Sequence, residues 1–391
     1  MRKKPDFHPD KLLIISSGHF IHDVFSSFLA VFLPLLINKF KLSMFLAGSL
    51  TVFIRLPSIF NPLIGILSDR MDLRYLAILA PALTAIAMSL LGVAPSYFAL
   101  CCLLFIAGIS AAVFHVLGPV MIARMSGKYI GTGMSYWMTA GELARTAGPL
   151  FAVWAISFWG FDKSYPVMII GIFASILLLI YLKDTAPALS KVSNVNPAGA
   201  FKHLIHVMVP LTGIMISRAF MVATLIAFLP TYMVNSGQSL WFGGITLALL
   251  EFSGAAGTFL GGTLSDRIGR QTILLTAMPT SCLLMLAFLY APDWLLFPTV
   301  LFLGFSLFSV SPVNLAIVQD HSRGHRGTAN GLYMGISFLT TAAVTVFVGW
   351  LADLFGLKAA FTTSALLGLA GIPIIFFLPK SPKSISKKNA T

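Results

Sequence analysis

Long apolar runs follow one another along nearly the whole of this 391-residue chain, separated only by short charged or Gly- and Pro-containing breaks. A helix needs roughly 20 apolar residues to cross the hydrocarbon core of a bilayer, and these runs reach that length. Lipid offers no partner for exposed backbone N–H and C=O groups, so such segments must be helical. The strands of a membrane barrel would alternate polar and apolar residues, and these runs do not. Composition agrees. With 57% hydrophobic and 10% charged residues and a mean hydropathy of +0.90, the chain has too little charge to cover a surface facing water. The sequence therefore predicts an all-α, polytopic membrane protein.

Twelve spans are expected, at about 12–38, 43–67, 75–94, 97–124, 130–159, 165–183, 204–234, 240–264, 272–290, 294–318, 328–353 and 357–379. The longest internal polar stretch, Asp184 to Lys202, lies at the midpoint and reads as a linker. The expected organisation is a six-helix bundle over 1–183, a cytoplasmic linker over 184–203, a second six-helix bundle over 204–379 and a cytoplasmic tail over 380–391.

The net charge of +13 does not point to nucleic acid, because the basic residues cluster between apolar runs. Of the 26 Lys and Arg, an N-terminus in the cytoplasm puts nineteen in inner loops and tails and four in outer loops. The other three (Arg55, Arg145, Arg218) stay inside spans. That positive-inside bias predicts an inner or plasma membrane protein with both termini cytoplasmic. The run after the basic N-terminus is too long for a signal segment and reads as the first span. Cys101, Cys102 and Cys282 all lie in apolar runs, without disulfide or zinc spacing.

The two halves repeat. Gly65 to Arg74 (GILSDRMDLR) returns as Gly262 to Gln271 (GTLSDRIGRQ), an offset of 197. Phe32-Leu33-Pro34 returns as Phe228-Leu229-Pro230, and Gly131-Thr132 as Gly327-Thr328, both at 196. Parallel repeats of six helices build one large transporter fold, with the site near the midplane between them.

The repeated loop resembles the signature loop of the major facilitator superfamily. The second copy, with Gly262, Leu264, Asp266, Arg267, Gly269 and Arg270, follows the pattern closely. The first, with Asp69, Arg70 and Arg74, departs from it at Asp72 and Leu73, where glycine and arginine are expected. The resemblance implies a gating latch at the cytoplasmic ends, in which Asp pairs with Arg or a helix N-terminus. A narrower resemblance is to the fosmidomycin-resistance group of drug:proton antiporters. It rests on Ser17-Gly18-His19-Phe20 with Asp23, on Phe28 to Pro34, and on Val113-Phe114-His115, which has Val116 where proline is usual. Gly141 to Pro149 (GELARTAGP) is similar to a Gly-rich motif of proton-coupled antiporters, with Gly148 and Pro149 as gating positions. By resemblance, spans 1, 4, 7 and 10 line a central cavity and spans 2, 5, 8 and 11 flank it.

Ionisable groups inside a bilayer are costly and mark functional sites. Counting from the helix ends puts His19, His22, Asp23, Arg55, Glu142, Arg145, Arg218 and Glu251 near mid-depth, with His115 nearer the cytoplasm. His19 and Asp23, at i,i+4, share one helical face. Asp23 is read as the carrier of a coupling proton, assisted by His19 or His22; the competing reading makes it a static hydrogen-bonding group. Glu142 and Arg145, at i,i+3, neutralise one another unless proton or substrate breaks the pair. Glu251 is a second protonation candidate. Arg55, Arg145 and Arg218 could hold an anionic solute, with His115, Tyr136 and Trp137 as further binding candidates. His19, His22 and Asp23 have metal-compatible spacing, but no further ligand set supports a metal.

No nucleophile or metal constellation points to an enzyme, and no cofactor is expected. The function expected is proton-coupled efflux of a small drug or metabolite by alternating access. The alternative is a proton symporter importing an organic metabolite. The expected partners are that small molecule, protons and the lipid bilayer, with the chain acting as a monomer.

Overall fold

A computed structural model describes residues 8–61, 63, 64, 67, 71–126, 130–183, 197–290, 292–321 and 326–379. These residues are helical, with no strand among those described. The helices are α1 (Pro9–Ser26), α2 (Phe28–Phe40), α3 (Met44–Arg55), α4 (Arg74–Ser89), α5 (Tyr97–Met125), α6 (Ile130–Trp159) and α7 (Met168–Leu182). After them come α8 (Pro197–Asn235), α9 (Leu240–Ile268), α10 (Arg270–Phe288), α11 (Asp293–Asp320), α12 (Arg326–Phe355), α13 (Leu357–Leu369) and α14 (Gly371–Ile375).

Among the described residues, ten helical stretches are long and apolar enough to cross a membrane. Met44–Phe60 is a shorter apolar stretch, and α6 is a 30-residue helix that carries Glu142 and Arg145. With these two, the twelve expected spans are accounted for. Several spans differ in detail, the last of them divided between α13 and α14. The first is broken at Ser27 into α1 and α2, where Ser26 and Ser27 turn their hydroxyls back onto the carbonyls of His22 and Asp23 at 3.0 and 2.9 Å. Such back-bonding draws carbonyls out of the regular ladder and bends helices. The second tightens after Arg55 into a 3-10 turn over Leu56–Phe60, because Pro57 disfavours α geometry in the residue before it. Helix α8 begins at Pro197, inside the stretch read as linker.

Packing divides the chain into two compact units. One comprises Met1–Leu42, Leu50–Val192 and Met233–Ala248; the other comprises Ser43–Ser49, Ser193–Tyr232 and Leu249–Thr391. In the first, α1 is the central element and packs on α4, α5, α6 and α7. Its core includes Leu12, Ile15, Ile78, Phe114 and Leu178, all buried. Gly18 admits Leu178 of α7, and Gly148 brings α6 so close to α1 that a Cβ there would lie 2.6 Å from the Ser27 Cβ. In the second unit, α10 packs on α11 and α13, around Leu211, Leu274, Met278, Val313 and Ile375. A small-residue face of α9 packs against α11: Gly254 meets Phe308, Gly257 meets the backbone of Phe305 and Gly261 meets Ser309.

The repeat is visible in backbone geometry as well as in sequence. Left-handed conformations occur at Lys41 (φ 52) and Gly237 (φ 88), and again at Gly160 (φ 80) and Gly356 (φ 83). Both pairs are 196 apart. Close helix contacts repeat with the same offset. Gly108 of α5 rests on the Ile54 carbonyl in the first unit, and Gly304 of α11 rests on the Leu250 carbonyl in the second. Within a membrane, where van der Waals packing replaces the hydrophobic effect between helices, such backbone contact requires glycine.

Candidate functional site

Helix α1 presents His19, His22 and Asp23 on the side facing α5 and α6. His19 and Asp23 are one turn apart, and Nε2 of His19 lies 3.2 Å from Oδ2 of Asp23. His22, fully buried, gives its Nδ1 to Oδ1 of Asp23 at 2.8 Å. From α5, His115 brings its Nε2 to 3.4 Å from the same Oδ1 and 3.4 Å from Nε2 of His19. Counting from helix ends puts His115 nearer the cytoplasm than Asp23; the structure brings the two side chains into contact.

Aromatic and small residues shape the cluster. The Trp137 ring of α6 stacks on His19 with centroids 3.7 Å apart and planes within 9°, and its backbone carbonyl lies 2.9 Å from Nδ1 of His19. Phe114 stacks on His22 at 4.8 Å. Gly141 leaves the room that His19 needs: a Cβ there would sit 2.8 Å from Cε1 of His19 and 3.4 Å from Oδ2 of Asp23. Nδ1 of His115 bonds the Ala111 carbonyl at 2.9 Å, which fixes the ring on its own helix.

A carboxylate alone at this depth would cost several kcal/mol. An imidazolium 3.2 Å away offsets that by roughly 5 kcal/mol at an effective dielectric of about 20. The arrangement can hold a proton and a negative charge together away from water. One donor atom each from His19, Asp23 and His115 also falls within 4.8 Å of the others, a spacing that a metal ion fits.

The other expected site residues are placed as follows. Glu142 and Arg145 form their i,i+3 ion pair on α6. Arg218 of α8 bonds the Leu307 carbonyl through Nε at 3.0 Å and the Ser311 hydroxyl through Nη2 at 2.7 Å. Its guanidinium also lies 5.9 Å from the Phe308 ring. These contacts are to Leu307 and Ser311 of α11, with no carboxylate in ion-pair contact with Arg218 among the described residues. Arg55 ends α3, half-buried, with no ion pair among the described residues. Glu251 is buried on α9. Tyr136 is exposed beside buried Trp137.

At the signature loops, Asp69 and Arg70 lie outside the described residues, as does the side chain of Asp266. Arg74 is paired with Asp72 at 2.9 Å, so the residue that departs from the family pattern is a local partner. Arg270 reaches Asp320 at 3.4 Å and also bonds the Ser265 hydroxyl. Arg267 is exposed. Pro149 sits within α6, and its carbonyl is 3.6 Å from where a Cβ on Gly244 would lie.

Sequence reasoning missed Phe114 as a wall of the cluster, the Trp137 carbonyl as an anchor and Ser311 as a partner of Arg218. Only Phe114 carried a signal, as the neighbour of His115.

A family model described as Major Facilitator Superfamily matches residues 15–343 and 280–391. The Fosmidomycin resistance protein of Escherichia coli (strain K12) is 25% identical over 375 residues, spanning 93% of this chain and 91% of that protein. The MFS-type transporter YfnC of Bacillus subtilis (strain 168) is 24% identical over 391 residues, spanning 95% and 93%. A solved bacterial homolog to the human lysosomal transporter Spinster matches with a TM-score of 0.75 over 97% of this chain and 95% of its own, at 17% identity. That likeness is one of fold. The chain belongs to the Major Facilitator Superfamily and is a multi-pass membrane transporter.

Proposed function

We propose that this transporter exports a small molecule in exchange for protons, from an inner or plasma membrane in which both of its termini face the cytoplasm. One observation carries the reading: Asp23 is buried in contact with three imidazoles, two from its own helix and one from α5. A carboxylate ringed by three imidazoles offers one proton several alternative positions within a small volume, as a coupling site requires. The direction is supported by relatives. The E. coli protein is named for resistance to fosmidomycin, and resistance by a transporter is met by removing the drug from the cell.

Substrate charge follows from the arginines. Among the described residues, Arg55 and Arg218 pair with no carboxylate, while Arg145 is neutralised by Glu142. A buried guanidinium without a counterion favours a solute that brings an anionic group. We therefore assign the protein a small anionic drug or metabolite as substrate; the monomer is proposed as its working unit, since each chain carries both six-helix repeats.

The test is a paired screen of drug sensitivity and metabolite uptake in cells with and without the protein, followed by flux of the resulting hit in everted vesicles. Uptake into acid-loaded everted vesicles that collapses when the pH gradient is dissipated is the expected result. Flux of the hit indifferent to the gradient, or running only outward from such vesicles, defeats the proposal.

A further inference from the structure

The hydrogen-bond inventory of the cluster says where its proton sits, given the proton-coupled reading above, on which this inference rests. A main-chain carbonyl oxygen can only accept. Nδ1 of His19 lies 2.9 Å from the Trp137 carbonyl and Nδ1 of His115 lies 2.9 Å from the Ala111 carbonyl, so both Nδ1 atoms carry hydrogen. In neutral rings both Nε2 atoms are then bare lone pairs. Yet they face each other at 3.4 Å, and each faces an Asp23 oxygen, at 3.2 and 3.4 Å. Four acceptors converge, and the one N–H directed at them, from His22 to Oδ1 of Asp23, leaves the two Nε2 atoms without a donor. One proton among them converts repulsion into hydrogen bonding. A second would place two imidazolium rings with centroids 5.2 Å apart. His22 is different: its Nδ1 donates to Asp23, and its buried Nε2 has no partner among the described residues that could accept a second N–H.

We infer that the cluster holds one mobile proton at a time on the Nε2 pair of His19 and His115, with Asp23 a standing carboxylate and His22 a neutral positioning residue. The side chain of His115 is 42% exposed against 4% for His19 and 11% for Asp23, so the proton enters and leaves through His115. Transfer breaks one Nε2–H bond and forms another, and Asp23 changes partner without changing charge. Of the other charges on the packed elements, Arg145 acts on His115 from α6 and is paired with Glu142. Helix α2 carries Lys39 near its far end. The titratable residues of α4, Arg74 and Tyr75, lie in its first turn, and Tyr181 of α7 is exposed.

Full-length protein with 15N-labelled histidine, in lipid nanodiscs, tests this by NMR across pH, with signals assigned from His19→Gln, His22→Gln and His115→Gln. The expected result is Nδ1–H on His19 and His115 throughout, Nε2 signals intermediate between protonated and bare nitrogen, and one proton lost from the pair as pH rises. Each of His19→Gln and His115→Gln should abolish the intermediate signal of the other. A bare Nδ1 on either ring, or two separately titrating Nε2 protons, overturns the inference. So does an infrared carboxylic-acid C=O band of the unmutated protein that vanishes in Asp23→Asn, a readout that requires no histidine variant to fold. No substrate or gradient is used. A shared proton in a protein whose transport ignores pH overturns the coupling reading alone, and coupled transport with unshared protons overturns this inference alone.

Discussion

His19 and Trp137 are held together at two points: their rings stack 3.7 Å apart, and Nδ1 of the histidine lies 2.9 Å from the tryptophan carbonyl. The stack restrains the plane of the imidazole and the carbonyl fixes which nitrogen faces Asp23. The orientation of this α1 imidazole is thus set by a residue 118 positions away in sequence, on α6.

Gly141→Ala tests that fit. The added methyl would lie 2.8 Å from Cε1 of His19, closer than carbon atoms approach, so the ring must shift off Trp137. Overpacking of this kind costs about 1–3 kcal/mol. The expected variant inserts and folds, with a lowered melting temperature in detergent, but its pH-driven transport is strongly reduced. Unchanged transport and unchanged melting would show that the ring has room to spare.

Asp353 of α12 accepts from the backbone N–H groups of Met44 and Phe45, at 2.5 and 2.7 Å, and so caps the first turn of α3. A carboxylate at a helix N-terminus satisfies donors that the helix cannot and complements its dipole. Asp353→Ala is expected to cost about 1 kcal/mol, and Asp353→Asn, which keeps one acceptor, less. Thermal unfolding in detergent should order the three as wild type, Asn, Ala; equal midpoints would exclude the cap.

Gly108 and Gly304 make the same contact in the two units, each against a backbone carbonyl. A side chain there has nowhere to go, because the neighbour is main chain. Gly108→Val and Gly304→Val should each lower the thermal midpoint, by similar amounts and by at least the roughly 1–3 kcal/mol of an overpacked core. A large loss at one and none at the other would break the internal repeat at its closest packing point.

The spans were legible because a bilayer imposes a length on any apolar helix, and the repeat because three short motifs share almost one offset. The i,i+4 pairing of His19 with Asp23 and the i,i+3 pairing of Glu142 with Arg145 were legible too, since helical geometry fixes which residues of one helix meet. What lies between helices was not. The approach of His115 to Asp23 depends on how α5 leans on α1, and no residue of either helix encodes that contact by itself. The partners of Arg218 were hidden for the same reason, since Leu307 contributes only a carbonyl. The break at Ser27 was missed because the hydrophobic run continues straight through it. Its cause is two hydroxyls that bond backward to His22 and Asp23.

The proposed proton coupling runs through the carboxylate of Asp23 and the imidazoles around it. Its most direct test is reconstitution of wild-type and Asp23→Asn protein in proteoliposomes, with substrate flux measured with and without an imposed pH gradient. Asparagine keeps the shape and an acceptor for His22 but cannot keep the negative charge that holds an imidazolium beside it. Wild-type flux should follow the gradient, while Asp23→Asn should retain downhill exchange of substrate and lose its response to pH. An Asp23→Asn protein that concentrates substrate against its gradient as well as wild type does would contradict the account.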